Sequence, residues 1–391
     1  MVLNSGSSSI KYQLFHMPAQ QPLLWGVVER IGEAEGTLTQ QGEGRAPLRR
    51  VAPLADHAQA LAWMVAALEE AGVALSRLEG IGHRVVHGGE RFCTPVRIDP
   101  EVVAAIRAMV PLAPLHNPAN ILGIEVMTEL APTTPQVAVF DTAFHQTLPA
   151  VAFRYALPAH YWREQGVRRY GFHGISHQSV CQQAAQVLAR PLQECRLISL
   201  HLGNGASVAA VCEGRSIDTS MGMTPLEGLV MGSRCGDLDP GVVLFLQRER
   251  GLDAAHLERL LNRESGLLGL CGSGDMREVL ARAEQGEAAA QLAVELFCYR
   301  IRKYIGAYLA ILGGLDGLIF TGGIGEQSAA IRARCCSGLE HLNIRLDPSR
   351  NEAAATQIQR DGAGVAVLVL AAAEERAIAE QVANHLEPRH G

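Results

Sequence analysis

The chain predicts an α/β fold in two similar halves, and three observations carry that expectation. A meander of short strands gives way to alternating strands and helices, and the same order begins again near mid-chain. At 391 residues the chain exceeds what one hydrophobic core usually supports. Three apolar strands each break into a glycine-bearing turn, at the carboxyl end of a strand where α/β sheets place ligands.

Val2-Leu3 is the first short strand. It runs into Asn4-Ser5-Gly6-Ser7-Ser8-Ser9, and an apolar stretch resumes at Ile10 with Lys11 beside it. A strand interrupted by glycine and small hydroxyl residues leaves N–H and O–H groups uncommitted, which suits phosphate. Ile10 to Phe15, Leu23 to Glu29, Thr37 to Gln40 and Leu48 to Val51 partly alternate between Gly- or Pro-containing turns, so they read as strands. Asp56 is placed to cap a helix reaching Ala71, with Leu61, Val65 and Leu68 on one face and Gly72 past the end. Leu78 to Val86 is strand-like, Pro100 to Met109 and Asn117 to Leu130 helical, and Gln136 to Phe140 a buried strand ending at Asp141. An antiparallel hairpin joined to a parallel sheet has this order.

The second half predicts strands at Leu197 to Leu202, Ala206 to Val211 and Arg215 to Thr219. Helices follow over Val242 to Arg250, Ala254 to Asn262, Met276 to Ala283 and Glu287 to Leu312. Gly317 to Phe320 is a strand breaking into Thr321-Gly322-Gly323-Ile324-Gly325-Glu326, Val365 to Leu370 another strand, and Glu374 to Leu386 a closing helix. No low-complexity linker separates the halves, so the boundary is expected at a hinge near Asp141 to Phe144.

Composition narrows the function. Hydrophobic residues at 48% and charged residues at 19% describe an ordinary globular protein, and a net charge of −6 without basic runs argues against a nucleic-acid partner. Nine cysteines without C-x-x-C spacing fit a reduced cytoplasm better than a disulfide framework or a zinc site. No signal-peptide pattern is visible, and the longest nearly apolar run, Gly362 to Ala373, is too short to span a membrane. A soluble, cytoplasmic protein is expected.

The turns at Asn4 to Ser9 and Gly203 to Ser207 suit phosphates, and the third, Gly322 to Glu326, opens a helix and suits a nucleoside or its α-phosphate. Each alone reads equally well as a hairpin turn; three after apolar strands do not. None fits the Walker or Rossmann pattern. Arg84, within Gly82-His83-Arg84-Val85-Val86-His87-Gly88-Gly89-Glu90, and Arg234, within Gly232-Ser233-Arg234-Cys235-Gly236-Asp237, are either paired with structural acids or a clamp for a carboxylate and a phosphoryl group. His116 stands just ahead of a helix among prolines, and His173 is framed by Tyr170-Gly171-Phe172 and Gly174. Both divide evenly between structural and functional roles, whereas His16, His57, His160 and His256 read as bland. Asp141 is a catalytic or Mg-directing carboxylate or a helix cap. Glu374 and Glu375 are able to reach Mg²⁺ or are surface acids.

Together these blocks resemble the acetate kinase family of acyl phosphate kinases, within the superfamily of sugar kinases, actin and heat-shock chaperone ATPases. The resemblance rests on N-S-G-S-S-S-I-K from Asn4, G-H-R-V-V-H-G-G-E from Gly82, L-H-N-P-A-N from Leu115, V-F-D-T-A-F-H from Val139, Y-G-F-H-G from Tyr170, H-L-G-N-G from His201, D-T-S-M-G-M-T-P-L-E-G-L from Asp218 and G-G-I-G-E from Gly322. It implies two actin-like (ribonuclease H-like) domains, each a mixed five-stranded sheet flanked by helices, with a nucleotide cleft between them. Residues 1–143, completed by about 374–391, are the expected N-terminal domain, and 144–373 the nucleotide-binding one.

The implied reaction is reversible transfer from ATP to acetate, giving ADP and acetyl phosphate in line, with Mg²⁺ replaceable by Mn²⁺, in a homodimer. By the same resemblance Asn4 and Glu374 match the metal site, and Ser7, Ser9 and Lys11 line the phosphate path. Arg84 and Arg234 hold the carboxylate and the transferring phosphoryl, His173 stabilises the transition state, and His116 is a second phosphoryl contact. His201, Leu202, Gly203, Asn204 and Gly205, with Asp275, Met276 and Arg277 and with Gly322, Gly323, Ile324, Gly325 and Glu326, match the nucleotide segments. Val86, Leu115, Phe172 and Pro225 match the acyl pocket. Asp141 matches the family's essential aspartate; acetate is already ionised at neutral pH, so positioning of Mg²⁺ or an arginine suits it better than proton abstraction.

The chain departs from the family pattern at Ile175 (usually threonine), at Cys235 (usually serine) and at Ala371-Ala372-Ala373, where Pro-Thr-Asn is usual. Only three residues precede Asn4, so a short first strand is expected. Val86 favours acetate over propionate, although one methylene is worth only about 1–3 kcal/mol. A propionate or broader short-chain kinase is the alternative. An ATP-driven scaffold of the actin or chaperone type is the remote one, for which Arg84, Arg234 and the acyl pocket have no use.

Overall fold

The computed structural model describes residues 1–6, 8–17, 21–114 and 116–387, and the chain divides into one unit of Met1–Ala143 with Ala373–Gly391 and a second of Phe144–Ala372. The first unit opens with β1 (Val2–Ser5), β2 (Ser9–Leu14), β3 (Leu24–Glu29), β4 (Gly36–Gly42) and β5 (Leu48–Ala52), and continues with β6 (Ile81–Val85), β7 (Val96–Arg97) and β8 (Gln136–Phe140). Its helices in this stretch are α1 (His57–Glu70), α2 (Pro100–Ala108) and α3 (Asn117–Leu130). The sheet order is β5-β4-β3-β2-β1-β6-β8-β7. β1 to β5 pair antiparallel, whereas β6 is parallel to both β1 and β8.

For this unit alone the expected five strands are corrected to eight. The meander keeps pairing through β4 and β5, and the two-residue β7 adds an antiparallel edge to β8. Local chemistry explains the helices: Asp56 accepts from the Gln59 N–H to start α1, and Asp99 caps α2 ahead of Pro100. Leu61, Met64 and Leu68 of α1 pack with Leu3, Ile10, Val28 and Leu38, and the buried Tyr12 hydroxyl donates to Gln40 Oε1 at 2.7 Å. A second cluster joins Val85 and Phe140 to Ile106, Ile121 and Ile124.

In the second unit β9 (Arg196–Leu202), β10 (Ala206–Cys212) and β11 (Arg215–Thr219) form the meander, and β12 (Gly317–Thr321) and β13 (Ala366–Val369) complete a mixed five-stranded sheet, β11-β10-β9-β12-β13. Its helices are α4 (Ala150–Phe153), α5 (Ala159–Gln165), α6 (Gly174–Val187), α7 (Pro240–Arg250), α8 (Ala254–Arg263), α9 (Gly266–Cys271), α10 (Met276–Glu284), α11 (Ala288–Leu312), α12 (Gly322–Gln327), α13 (Ala329–Cys336) and α14 (Pro348–Glu352). The closing helix α15 (Glu374–Leu386) returns to the first unit, where it packs on β1, β6 and β8. The helix α6 has no clear apolar stripe, because it buries Ser176, His177 and Ser179 among its apolar residues. That polar face hides it from periodicity.

Candidate active site

In the first unit the carboxyl ends of β1, β6 and β8 and the start of α15 converge on one guanidinium. Arg84 Nη2 donates to Asp141 Oδ2 at 2.5 Å, Nη1 lies 3.4 Å from Asn4 Oδ1, and Nε is 3.8 Å from a Glu374 carboxylate oxygen. Asp141 directly follows β8, and its N–H donates to the Val85 carbonyl at 3.0 Å, so the ladder itself delivers the carboxylate beside β6. Burial works against the Arg84 charge, but Asp141 and then Glu374 outweigh it and hold its pKa above the ordinary value. Glu374 is pushed the other way: burial first, then the Asp141 and Glu375 charges, raise it to about 7. Ala373, one residue before, takes a left-handed backbone (φ 41°) to turn the chain into α15.

These donors fit a magnesium ion. Asn4 Oδ1, the Glu374 carboxylate and Asp141 Oδ1, which is buried without a hydrogen-bond partner, are all hard oxygens. Among the described residues no group of three or more His, Cys, Asp or Glu side chains is arranged to hold a metal. Lys11 stands opposite Asn4 in the β1–β2 ladder, and the turn between is closed by the Gly6 N–H donating to Ser9 O at 2.8 Å. Val86 is buried beyond the end of β6, and His116 occupies the residue before α3, its N–H on Ala113 O. Ser7 and Leu115 lie outside the described residues.

In the second unit His173 caps α6 with a left-handed backbone (φ 57°). Its Nδ1 is 2.8 Å from Ser207 Oγ, and its ring stacks on His201 at 4.2 Å between centroids. Ser207 also meets His177 Nε2 at 2.9 Å, and His177 Nδ1 meets Ser199 Oγ at 2.9 Å. Burial, then the His145 and His201 charges, push His177 well below the usual histidine range, so it is neutral and its proton position follows its serine partners. Gly171 (φ 76°) allows the tight approach before His173; a Cβ there would lie 2.4 Å from Thr219 Cγ2.

Arg234 reaches the same turn. A Cβ built on Gly205 would sit 3.5 Å from both Arg234 Nη1 and His173 Nε2. The guanidinium donates to Pro225 O at 3.0 Å and approaches Met231 Sδ at 3.8 Å, both neutral partners, and burial alone lowers its pKa. A cation desolvated with no acid beside it among the described residues is prepared for an anionic ligand. Phe172 is buried, and its carbonyl lies 3.0 Å from His145 Nε2; Pro225 contributes through its carbonyl to holding Arg234.

The remaining segments of this unit are held from within. Leu202, Gly203, Asn204 and Gly205 form the β9–β10 turn, which the Gly203 N–H closes on Gly205 O at 3.0 Å. Asp275 caps α10 and pairs with Arg277, whose side chain is 91% exposed and so open to a ligand; that pairing lowers Asp275 to about 2. Met276 is buried. Gly322, Gly323, Ile324 and Gly325 form the first turn of α12, and Glu326 Oε1 accepts from the Gly322 and Ala372 N–H groups at 3.0 and 3.1 Å. Its carboxylate therefore ties the segment to Ala372.

Three contributors escaped the sequence reading. His57, read as bland, places Nε2 2.7 Å from the Gly6 carbonyl and so steadies the first turn. His177 orients His173 through Ser207, the last residue of the second glycine turn. Arg332, 1% exposed, gives Nη1 to the Gly325 and Glu326 carbonyls at 2.9 and 2.8 Å and Nε to Asn351.

The acetokinase family profile matches residues 1–380. The chain is 51% identical to the acetate kinase of Syntrophobacter fumaroxidans, with 97% of this chain and 95% of that protein covered. It is 52% identical to that of Leifsonia xyli subsp. xyli, at 97% of each. Among solved structures, Porphyromonas gingivalis acetate kinase superposes with a TM-score of 0.93 at 42% identity over 99% of each chain. A propionate kinase from Francisella tularensis gives 0.94 at 40% identity over 98% of each. The actin-like α/β architecture is thus the one implied by the motifs, and the chain belongs to the acetokinase family.

Proposed function

We propose that this chain is an acetate kinase, catalysing reversible Mg-dependent transfer of a phosphoryl group between ATP and acetate. The observation that carries the reading is Arg234: a desolvated guanidinium whose partners among the described residues are neutral, beside His173 at the Gly203–Gly205 turn. Arg84 holds the substrate carboxylate, and Asp141 orients Arg84 rather than removing a proton, since its Oδ2 already accepts from Nη2. Arg234 and His173 bear on the equatorial oxygens of the phosphoryl in flight, where charge is spread and positioned donors act most strongly. Asn4, Asp141 and Glu374 are the residues that would hold Mg²⁺, which when bound neutralises phosphate charge.

The second unit is read as the nucleotide-binding domain, through the segments at His201, Asp275 and Gly322. A homodimer is supported by exposed apolar side chains on and beside α7, with Leu244 at 61% and Phe245 at 50% exposure. A cytoplasmic location suits nine free cysteines. Propionate is the second reading, favoured by the likeness to a propionate kinase structure.

Acyl hydroxamate formation with acetate, propionate and butyrate at saturating Mg-ATP tests the proposal. The highest kcat/KM is expected with acetate. In Arg234→Ala, turnover should fall by about 100-fold or more while ATP binding is retained. Absence of acyl phosphate from every carboxylate, or unchanged turnover in Arg234→Ala, overturns it.

A further inference from the structure

The parallel pairing of β1 with β6 ends early. Its register covers only Val2↔Gly82 and Leu3↔His83, so Asn4 and Arg84 lie just beyond the last rung. On its other side β6 stays paired with β8 through Arg84↔Val139 and Val85↔Phe140. Near the start of α3 the Asn120 amide bridges the gap, while Asn117 holds only the chain just past β6. Asn120 Oδ1 accepts from the Val86 N–H at 3.0 Å, and its Nδ2 donates to Ser5 O at 2.7 Å. Asn117 Oδ1 accepts from the His87 N–H, and its Nδ2 donates to His87 O, both at 3.1 Å.

Both asparagines are buried, at 0% and 2% exposure, and each uses donor and acceptor together as a peptide group does in a ladder. The helix comes close enough because residue 123 is glycine: a Cβ there would lie 2.5 Å from Ser5 Oγ. Asn120 is therefore a cross-brace that holds β1 away from β6 at their carboxyl ends and sets the distance between them.

We infer that Asn120 is a positioning residue for the acyl substrate, fixing Arg84 and Val86 relative to Asn4 by bridging Ser5 to Val86. The inference rests on the reading of Arg84 and Val86 as carboxylate and acyl contacts. Asn120 touches no reacting atom; it acts through the backbone that carries them. Without it β6 keeps its β8 partner but loses its spacing from β1, so acetate binding suffers while the nucleotide segments of the second unit are untouched.

The test compares Asn120→Ala and Asn120→Asp with the wild-type chain, reading KM for acetate, KM for Mg-ATP and hydrogen exchange at the Val86 amide. Asn120→Asp keeps an acceptor for Val86 but sets a carboxylate oxygen against the Ser5 carbonyl, so it serves also if the alanine variant fails to fold. The expected result is an acetate KM raised about tenfold, Mg-ATP KM within about twofold, and faster Val86 exchange in Asn120→Ala. Equal shifts in both KM values, or an unchanged acetate KM, overturn the positioning role. If the wild-type chain forms no acyl phosphate, the functional reading fails separately; the exchange data still decide the brace, and unaltered Val86 protection in Asn120→Ala overturns it.

Discussion

Replacing Arg84 with methionine removes the cation from the centre of the first unit's cluster and keeps most of its apolar volume. Asp141 then stays almost fully buried, its side chain 2% exposed, with Glu374 nearby at 19%. Two charges roughly 4 Å apart attract by about 4 kcal/mol at an effective permittivity near 20. The same size emerges from buried pairs generally, where deleting one partner costs about 3–5 kcal/mol because the other is left uncompensated. At roughly 2–4 °C per kcal/mol for a domain of this size, melting should fall by about 6–20 °C.

Urea unfolding followed by circular dichroism on wild type, Arg84→Met, Asp141→Asn and the double variant closes the cycle. The double variant should be more stable than Arg84→Met, with a coupling of about 2 kcal/mol or more, and recovery should be incomplete because Glu374 remains. Additivity within about 0.5 kcal/mol would refute the claim that this pair is a buried electrostatic unit.

Two further outcomes follow from the same site. Glu374, raised to about 7 from 4.5, keeps a proton in the folded chain that the unfolded chain has released, so stability should fall as pH rises through that window. Glu374→Gln should abolish this component in melting curves from about pH 5 to about pH 8, and excess Mg²⁺ should weaken it in the wild type by favouring the ionised form; a slope unchanged in Glu374→Gln refutes it. Val86→Ala should raise kcat/KM for propionate relative to acetate by about tenfold, in line with one methylene, and an unchanged ratio would place the acyl group elsewhere.

Much of the architecture was legible in local sequence because it depends on local chemistry. Asp56 and Gly72 bracket α1, Asp99-Pro100 starts α2, and the apolar run to Phe140 places Asp141 at a strand end. The helix α6 was not legible. Its Ser176, His177 and Ser179 are buried by tertiary partners, Ser199 and Ser207 among them, that no local period announces. Glu326 looked like a ligand residue of a glycine turn, yet its carboxylate faces its own backbone and Ala372.

By itself the sequence determined the order of elements, the three glycine turns and the residue types available for phosphoryl chemistry, since capping, periodicity and turn propensity act over a few residues. Only the tertiary structure decided that Asn4, Arg84, Asp141 and Glu374 share one cluster, and that Arg234 meets His173 at one turn. Those groups are tens to hundreds of residues apart. Their meeting depends on which strands are neighbours and where each ladder stops, and the β1–β6 ladder stops where the Asn120 amide takes over its hydrogen bonds.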